Sequence, residues 1–171
     1  IHSISGLTVH ATTRSNDQTL DTPNQKSPRQ GFSASRNIIP TSTGAAKAVL
    51  AVLPELQGIP FEISALRIPI TDVSSLKLVF SLNAGFTVTR NDIMAVIQQA
   101  AENELKGIIG IAPYESVSSQ FTGSGLSIAV TPEEVTVTDG RVVTLHGWYD
   151  NEAGYAARLG DLARFMNERL N

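Results

Sequence analysis

The chain has no cysteine among its 171 residues. That absence excludes disulfides, zinc–thiolate sites and thiol catalysis by any group within it, and leaves the redox compartment open. No apolar run approaches the ~20 residues that a membrane-spanning helix needs. Nor is there a basic stretch leading into an apolar one at the start. The first residue is Ile1 rather than methionine, which reads as a processed, truncated or excised segment. Cations are in slight deficit: 13 Lys and Arg against 16 Asp and Glu give a net charge of −3. Binding to a phosphate backbone wants a basic face, so neither nucleic acid nor membrane is expected as a partner. No G-x-G-x-x-G fingerprint lies between a strand and a helix, and Gly123-Ser124-Gly125 reads as a turn between weak strands. A dinucleotide, if one is used, must find most of its pocket in another segment. No serine sits in an obvious nucleophile turn, and there is no internal repeat or low-complexity tract.

The remainder describes one folded domain over residues 1–171, with 42% hydrophobic and 17% charged residues, for which a cytoplasmic location fits. Residues 6–13 (GLTVHATT) are β-branched and predict a strand. Residues 14–37 carry Asn, Asp, Pro, Ser and Gly without periodicity and predict a long loop, either functional or a linker. A helix is expected from the Ala-rich run after Ser42 or Thr43, stopped near Leu53 by Pro54. Residues 61–70 and 74–82 predict strands. Residues 89–105 predict a helix opened by a Thr-x-x-Asp cap, with Ile93, Ile97, Ala100 and Ala101 at helical spacing. Short strands follow at 108–112 and 125–130, then a hairpin about Asp139-Gly140. A last helix over about 152–169, capped by Asp150 or Asn151, carries Tyr155, Leu159, Leu162 and Met166 on one stripe. This order has no regular βαβ repeat, so the expected class is α+β: a large, mostly antiparallel or mixed sheet with helices on one face.

Several residues invite a chemical reading beside a structural one. His10 sits in an apolar run followed by two threonines, as a base near hydroxyl donors or as a hydrogen-bonded core histidine. Thr43 and Gly44 open a helix, whose free N–H groups suit an anion as well as a simple cap. Arg67, flanked by apolar residues, suits bidentate phosphate or carboxylate binding, or reaches solvent from a strand end. Taken singly, Asn151 and Tyr155 are a cap and a core aromatic.

Taken together, TVHATT, NIIPTSTGAAKAV, LPELQG, ALRIPI, LKGIIG, VSSQF and WYDNEAGY occur in an order and spacing that resemble phosphorylating glyceraldehyde-3-phosphate dehydrogenase. The resemblance covers nearly the whole chain and corresponds to the catalytic, C-terminal domain of that family. It implies that His10 activates a catalytic thiol and then acts as acid and base, and that Thr13 and Arg67 bind the substrate phosphate. It further implies that Thr43 and Gly44 bind the attacking inorganic phosphate, and that Asn151 holds the nicotinamide carboxamide beside Tyr155. The reaction so implied is oxidation of glyceraldehyde 3-phosphate through a thioester and its phosphorolysis, with NAD as cofactor and NADP not excluded. No metal site is implied. The loop over about 14–37 corresponds to the family's S-loop, and a homotetramer is the implied assembly.

In the family the nucleophilic cysteine and the dinucleotide-binding half lie upstream of the histidine. His10 therefore looks orphaned, and the chain alone is expected to be inactive. The chain departs from the family's pattern at Thr12, Gln30, Phe32 and Gln120 and across TDVSSLKL. Erythrose-4-phosphate dehydrogenase, or a stand-alone domain used for binding or assembly, are the alternative readings.

Overall fold

β1 spans Ser3–His10 and ends on the histidine singled out above. The computed structural model describes residues 1–12, 20–24 and 27–170. The remaining strands are β2 (Ile39–Thr41), β3 (Phe61–Arg67), β4 (Ser74–Ser81), β5 (Ile109–Ile111), β6 (Ile128–Val130), β7 (Thr136–Thr138) and β8 (Val142–Tyr149). They form one eight-stranded mixed sheet in the order β2-β3-β1-β4-β8-β6-β5, with β7 beside β8. Three helices complete it: α1 (Ala45–Val52) against β3, α2 (Arg90–Glu102) against β5, and α3 (Asn151–Leu170). The α+β expectation holds.

β1 pairs antiparallel with β4 and parallel with β3. A parallel pair cannot be closed by a hairpin, and the crossover here is the chain carrying the long loop, β2 and α1. β8 lines up with β4 along its whole length; its other edge is divided, Val142–Thr144 pairing with β7 and Gly147–Trp148 with β6. Gly147 permits that second approach, since a Cβ there would sit 2.7 Å from the Ala129 carbonyl oxygen.

Local chemistry accounts for most boundaries. β3 ends at Arg67 rather than at 70, because Pro69 offers no N–H to a ladder. The β7–β8 turn has Asp139 at φ 54° and Gly140 at φ 66°, the two left-handed residues of a tight hairpin that matches strand twist. α2 carries the expected capping box: the Asp92 N–H donates to Thr89 Oγ1 at 3.2 Å, and the Thr89 N–H to Asp92 Oδ2 at 2.8 Å. At α1 the cap residue is Gly44 rather than Ser42 or Thr43, although the Ala45 N–H donates to Thr43 Oγ1 at 3.2 Å. At α3 Asp150 caps and Asn151 is already helical.

The core gathers Val73, Ala112, Phe121 and Ala129 under Leu126 and Trp148, with Phe121 stacked on Trp148 at 6.4 Å. Residues 13–19 and 25–26 of the long-loop region lie outside the described residues. The described part folds back on itself: the Thr22 N–H meets the Gly31 carbonyl at 2.7 Å, the Ser33 N–H meets Asp21 Oδ1 at 2.8 Å, and Ser33 and Ala34 are buried. The stripe of α3 is not core. Tyr155, Leu159, Leu162 and Met166 are all exposed. No helix among the described residues is long and apolar enough to cross a membrane.

Candidate active site

Sheet register brings the first two site residues together. His10, last in β1, stands directly opposite Arg67, last in β3. Arg67 Nη1 donates to the Ala11 carbonyl, which holds the guanidinium beside the strand end. Thr8, two residues before His10, joins its hydroxyl to that of Tyr149 at 2.8 Å and so links β1 to β8 across β4. Tyr149 in turn precedes Asp150 and α3, so β1 and the start of α3 are held in one place.

Between them lies a cleft of about 530 Å3 whose walls include His10, Thr12, Asp72, Asp150 and Asn151. Behind it a mostly apolar trough of about 450 Å3 runs past His10, Thr43 and Asn151 and on over Val49, Phe61 and Leu76. His10 and Asn151 border both. The Nε2 of His10 is buried and meets no hydrogen-bond partner among the described residues. Burial lowers the imidazole pKa from its ordinary value, and the charge of Arg67 lowers it further, so both favour the uncharged ring. An unprotonated imidazole with a free nitrogen can accept a proton, which suits it to act as a base.

Asp150 is the anchor of this end. It is 5% exposed, and both carboxylate oxygens are taken: Oδ1 accepts from the Ala153 N–H at 2.8 Å and Oδ2 from the Gly123 N–H at 2.7 Å. Thr43 reaches the trough, while the space where Gly44 would carry a Cβ is open to 4 Å, as an approaching anion would need. Thr13 lies outside the described residues. Tyr155 does not join the cleft. It is 66% exposed one turn along α3, bordering a smaller depression with Tyr149, Asn151 and Arg158. The reading of Tyr155 as a core aromatic is therefore corrected: the inner face of α3 passes through Gly154, which is buried, and the next residue points away from it.

Two features had no expectation attached. Carboxylate oxygens of Asp72, Asp150 and Glu152 lie within 4.8 Å of one another at the cleft mouth. The acidic start of α3 is legible in WYDNE, but its meeting with Asp72 depends on the β4–β8 pairing. Beside it, Val73 adopts φ 57°, a left-handed backbone that a β-branched residue adopts only under constraint. It is held by 2% exposure in the core and by its N–H donating to Asp72 Oδ1 at 2.7 Å. Nothing in the residue type announces that strain.

Chemically, the cleft and the trough share an imidazole and an exposed amide, Thr43 at the start of α1 borders the trough, and the Arg67 guanidinium stands at the strand end beside His10. Residues 1–151 match the family model described as glyceraldehyde 3-phosphate dehydrogenase, C-terminal domain. Glyceraldehyde-3-phosphate dehydrogenase 1 of Bacillus subtilis (strain 168) is 42% identical over 162 residues, which are 95% of this chain and 47% of that protein. Glyceraldehyde-3-phosphate dehydrogenase 2 of Mucor circinelloides f. lusitanicus is 44% identical over 158 residues, 92% of this chain and 46% of that protein. The cytosolic glyceraldehyde-3-phosphate dehydrogenase 3 of Zea mays is 43% identical over 160 residues, 94% of this chain and 46% of that protein. The chain thus spans about half the length of these curated relatives. On the match over residues 1–151 and on these relatives, the chain belongs to the glyceraldehyde-3-phosphate dehydrogenase family, of which it represents the C-terminal domain.

Proposed function

We propose that the chain is the catalytic half of a phosphorylating, NAD(P)-linked glyceraldehyde-3-phosphate dehydrogenase, completed by a dinucleotide-binding half that also brings the thiol nucleophile. The observation that carries this reading is His10, whose Nε2 is buried without a partner among the described residues, lining a cleft that it shares with Asn151. In the reaction His10 takes the proton of the incoming thiol, turning a weak nucleophile into a thiolate. It returns that proton to the oxyanion formed as the thiolate adds to the aldehyde, and takes it back from the resulting hydroxyl as the carbon is oxidised. Arg67, with Thr13, holds the phosphate of glyceraldehyde 3-phosphate by charge and hydrogen bonding. Thr43 and Gly44 present the start of α1 to the attacking inorganic phosphate, and α1 contributes the partial positive charge of its N-terminus.

The residues fit a nicotinamide. Asn151 is exposed at the cleft and carries both a donor and an acceptor, the complement of a carboxamide. Tyr155, one turn further on, borders the neighbouring depression with Asn151 rather than the cleft itself. The cofactor, when bound, takes the two electrons of the aldehyde oxidation. The cleft takes its nicotinamide end, and the rest belongs to the other half. The complete enzyme is a cytoplasmic homotetramer on this reading.

The test is to join this chain to a cysteine-bearing dinucleotide-binding half and follow NAD(P)H formation with glyceraldehyde 3-phosphate. Formation depends on inorganic phosphate, is absent with the 171-residue chain alone, and falls by at least ~10²-fold in His10→Ala. Undiminished turnover in that variant overturns the assignment of the base.

A further inference from the structure

Among the described residues outside the cleft, Arg158 makes four side-chain hydrogen bonds. Its Nε donates to Asp161 Oδ2 at 2.7 Å, Nη1 to Ser127 Oγ at 3.0 Å and to the Gly125 carbonyl at 3.4 Å, and Nη2 to the Gly107 carbonyl at 3.3 Å. One guanidinium thereby ties α3 to two separate turns, the one before β5 and the one before β6. Asp161, paired with both Arg158 and Arg164, holds it in that orientation. Its carboxyl is kept below the ordinary carboxylate range, chiefly by the hydrogen bond from Arg158.

The same segment before β6 meets α3 at every step of its first two turns. The Gly123 N–H donates to Asp150. The Leu126 carbonyl lies so close to Gly154 that a Cβ there would be 2.9 Å from it. Ala157 rests against Gly125, at 3.5 Å from where its Cβ would be. Asn151 and Arg158 are seven residues apart, two helical turns or about 10 Å, and so share a face. A helix held at both ends of that span by Asp150 and Arg158 cannot rotate about its axis, and rotation is the motion that would turn Asn151 out of the cleft. Ser127 also lines the trough together with Asn151, so the clamp and the site share a wall.

We propose that Arg158 is a positioning residue: by locking α3 onto the Gly123–Ser127 segment it sets the direction in which Asn151 meets the nicotinamide. This rests on the reading of Asn151 given above. Arg158 touches no reacting atom. Its substitution acts on cofactor affinity through Asn151 and leaves the aldehyde phosphate contacts of Arg67 alone.

The experiment is a double-mutant cycle in the completed enzyme, with NAD affinity measured by titration calorimetry and the aldehyde KM measured in parallel. Asn151→Ala is expected to weaken NAD binding by roughly 10-fold, Arg158→Met by a comparable factor, and the double variant by little more than either, because both remove one contact. Arg158→Lys, which reaches fewer acceptors, recovers part of the loss, and Asp161→Asn gives a smaller one. The KM for glyceraldehyde 3-phosphate stays within about 2-fold throughout. If Arg158→Met does not fold, Arg158→Lys and Asp161→Asn carry the same comparison. A lowered melting temperature with unchanged NAD affinity makes Arg158 structural only and overturns the proposal. Additive losses overturn it as well, since the two residues then act independently. Unchanged NAD affinity in Asn151→Ala removes the reading of Asn151 itself, and this inference with it.

Discussion

His10 and His146 are both held below the ordinary imidazole pKa, and in both burial is the largest cause. Arg67 adds to it at His10. At His146 the charges compete, Glu134 and Glu133 raising and Lys77 lowering, while the ring nitrogens meet Ser75 Oγ at 2.8 Å and Thr131 Oγ1 at 3.0 Å. A histidine whose folded pKa is depressed contributes stability that is whole above its unfolded pKa of about 6.5 and is lost as pH falls through the folded value. Urea midpoints of the chain are therefore expected to decline as pH drops from about 7 toward 5. A His10→Gln, His146→Gln double variant should show a flatter profile over that window. An unchanged slope would mean that neither ring governs it. Asp92 and Asp161, depressed by hydrogen bonds first, act in a separate window, losing their contribution only as pH falls below about 4.

At the scale of elements, the joints that the sheet cannot relax decide the cost of a change. A methyl at Gly147 would meet the Ala129 carbonyl oxygen and the Ile128 side chain, both at 2.7 Å. Gly147→Ala should thus push β6 from β8 and destabilise the chain by about 1–3 kcal/mol, read from urea unfolding. Thr89→Ala removes one half of the α2 box at an exposed helix end, and a melting point lower by about 2–4 °C is expected. A fall as large as that of Gly147→Ala would instead implicate α2 in the core, where none of its residues is buried.

For the whole molecule, α3 is attached by one face and apolar on another. Gly154, Ala157 and Arg158 face the domain, while Tyr155, Leu159, Leu162 and Met166 form a stripe about a third of a turn away. A continuous apolar stripe in water favours association. Sedimentation of the chain alone should show concentration-dependent self-association that a Leu162→Glu, Met166→Glu variant reduces without loss of circular dichroism. If that variant associates as before, another surface is responsible.

Much of this was legible without coordinates, and the reason is locality. The α2 box, the Asp139-Gly140 turn, the β-branched run of β1 and the stop after α1 each depend on a few neighbouring residues whose backbone preferences agree. His10, Arg67, Thr43, Gly44 and Asn151 were legible as a set because they stand in motifs of characteristic order. What was not legible is what distant segments do to one another. Tyr155 has helical spacing with Leu159 and Leu162, and spacing alone cannot say whether a stripe faces a core or solvent. Asp150 caps α3 with one carboxylate oxygen while the other accepts from the Gly123 N–H, 27 residues away, a partner that the local sequence does not reveal.

From the sequence alone came the class of fold, the family and the residue types of the candidate site, since composition, periodicity and motif are properties of the chain itself. Tertiary structure alone decided the parallel β1–β3 register that sets His10 opposite Arg67, the divided edge of β8, the strain at Val73 and the Arg158 clamp on α3. Each of those is a balance between burial and hydrogen bonding across residues far apart in the chain, and such a balance exists only once the sheet has formed.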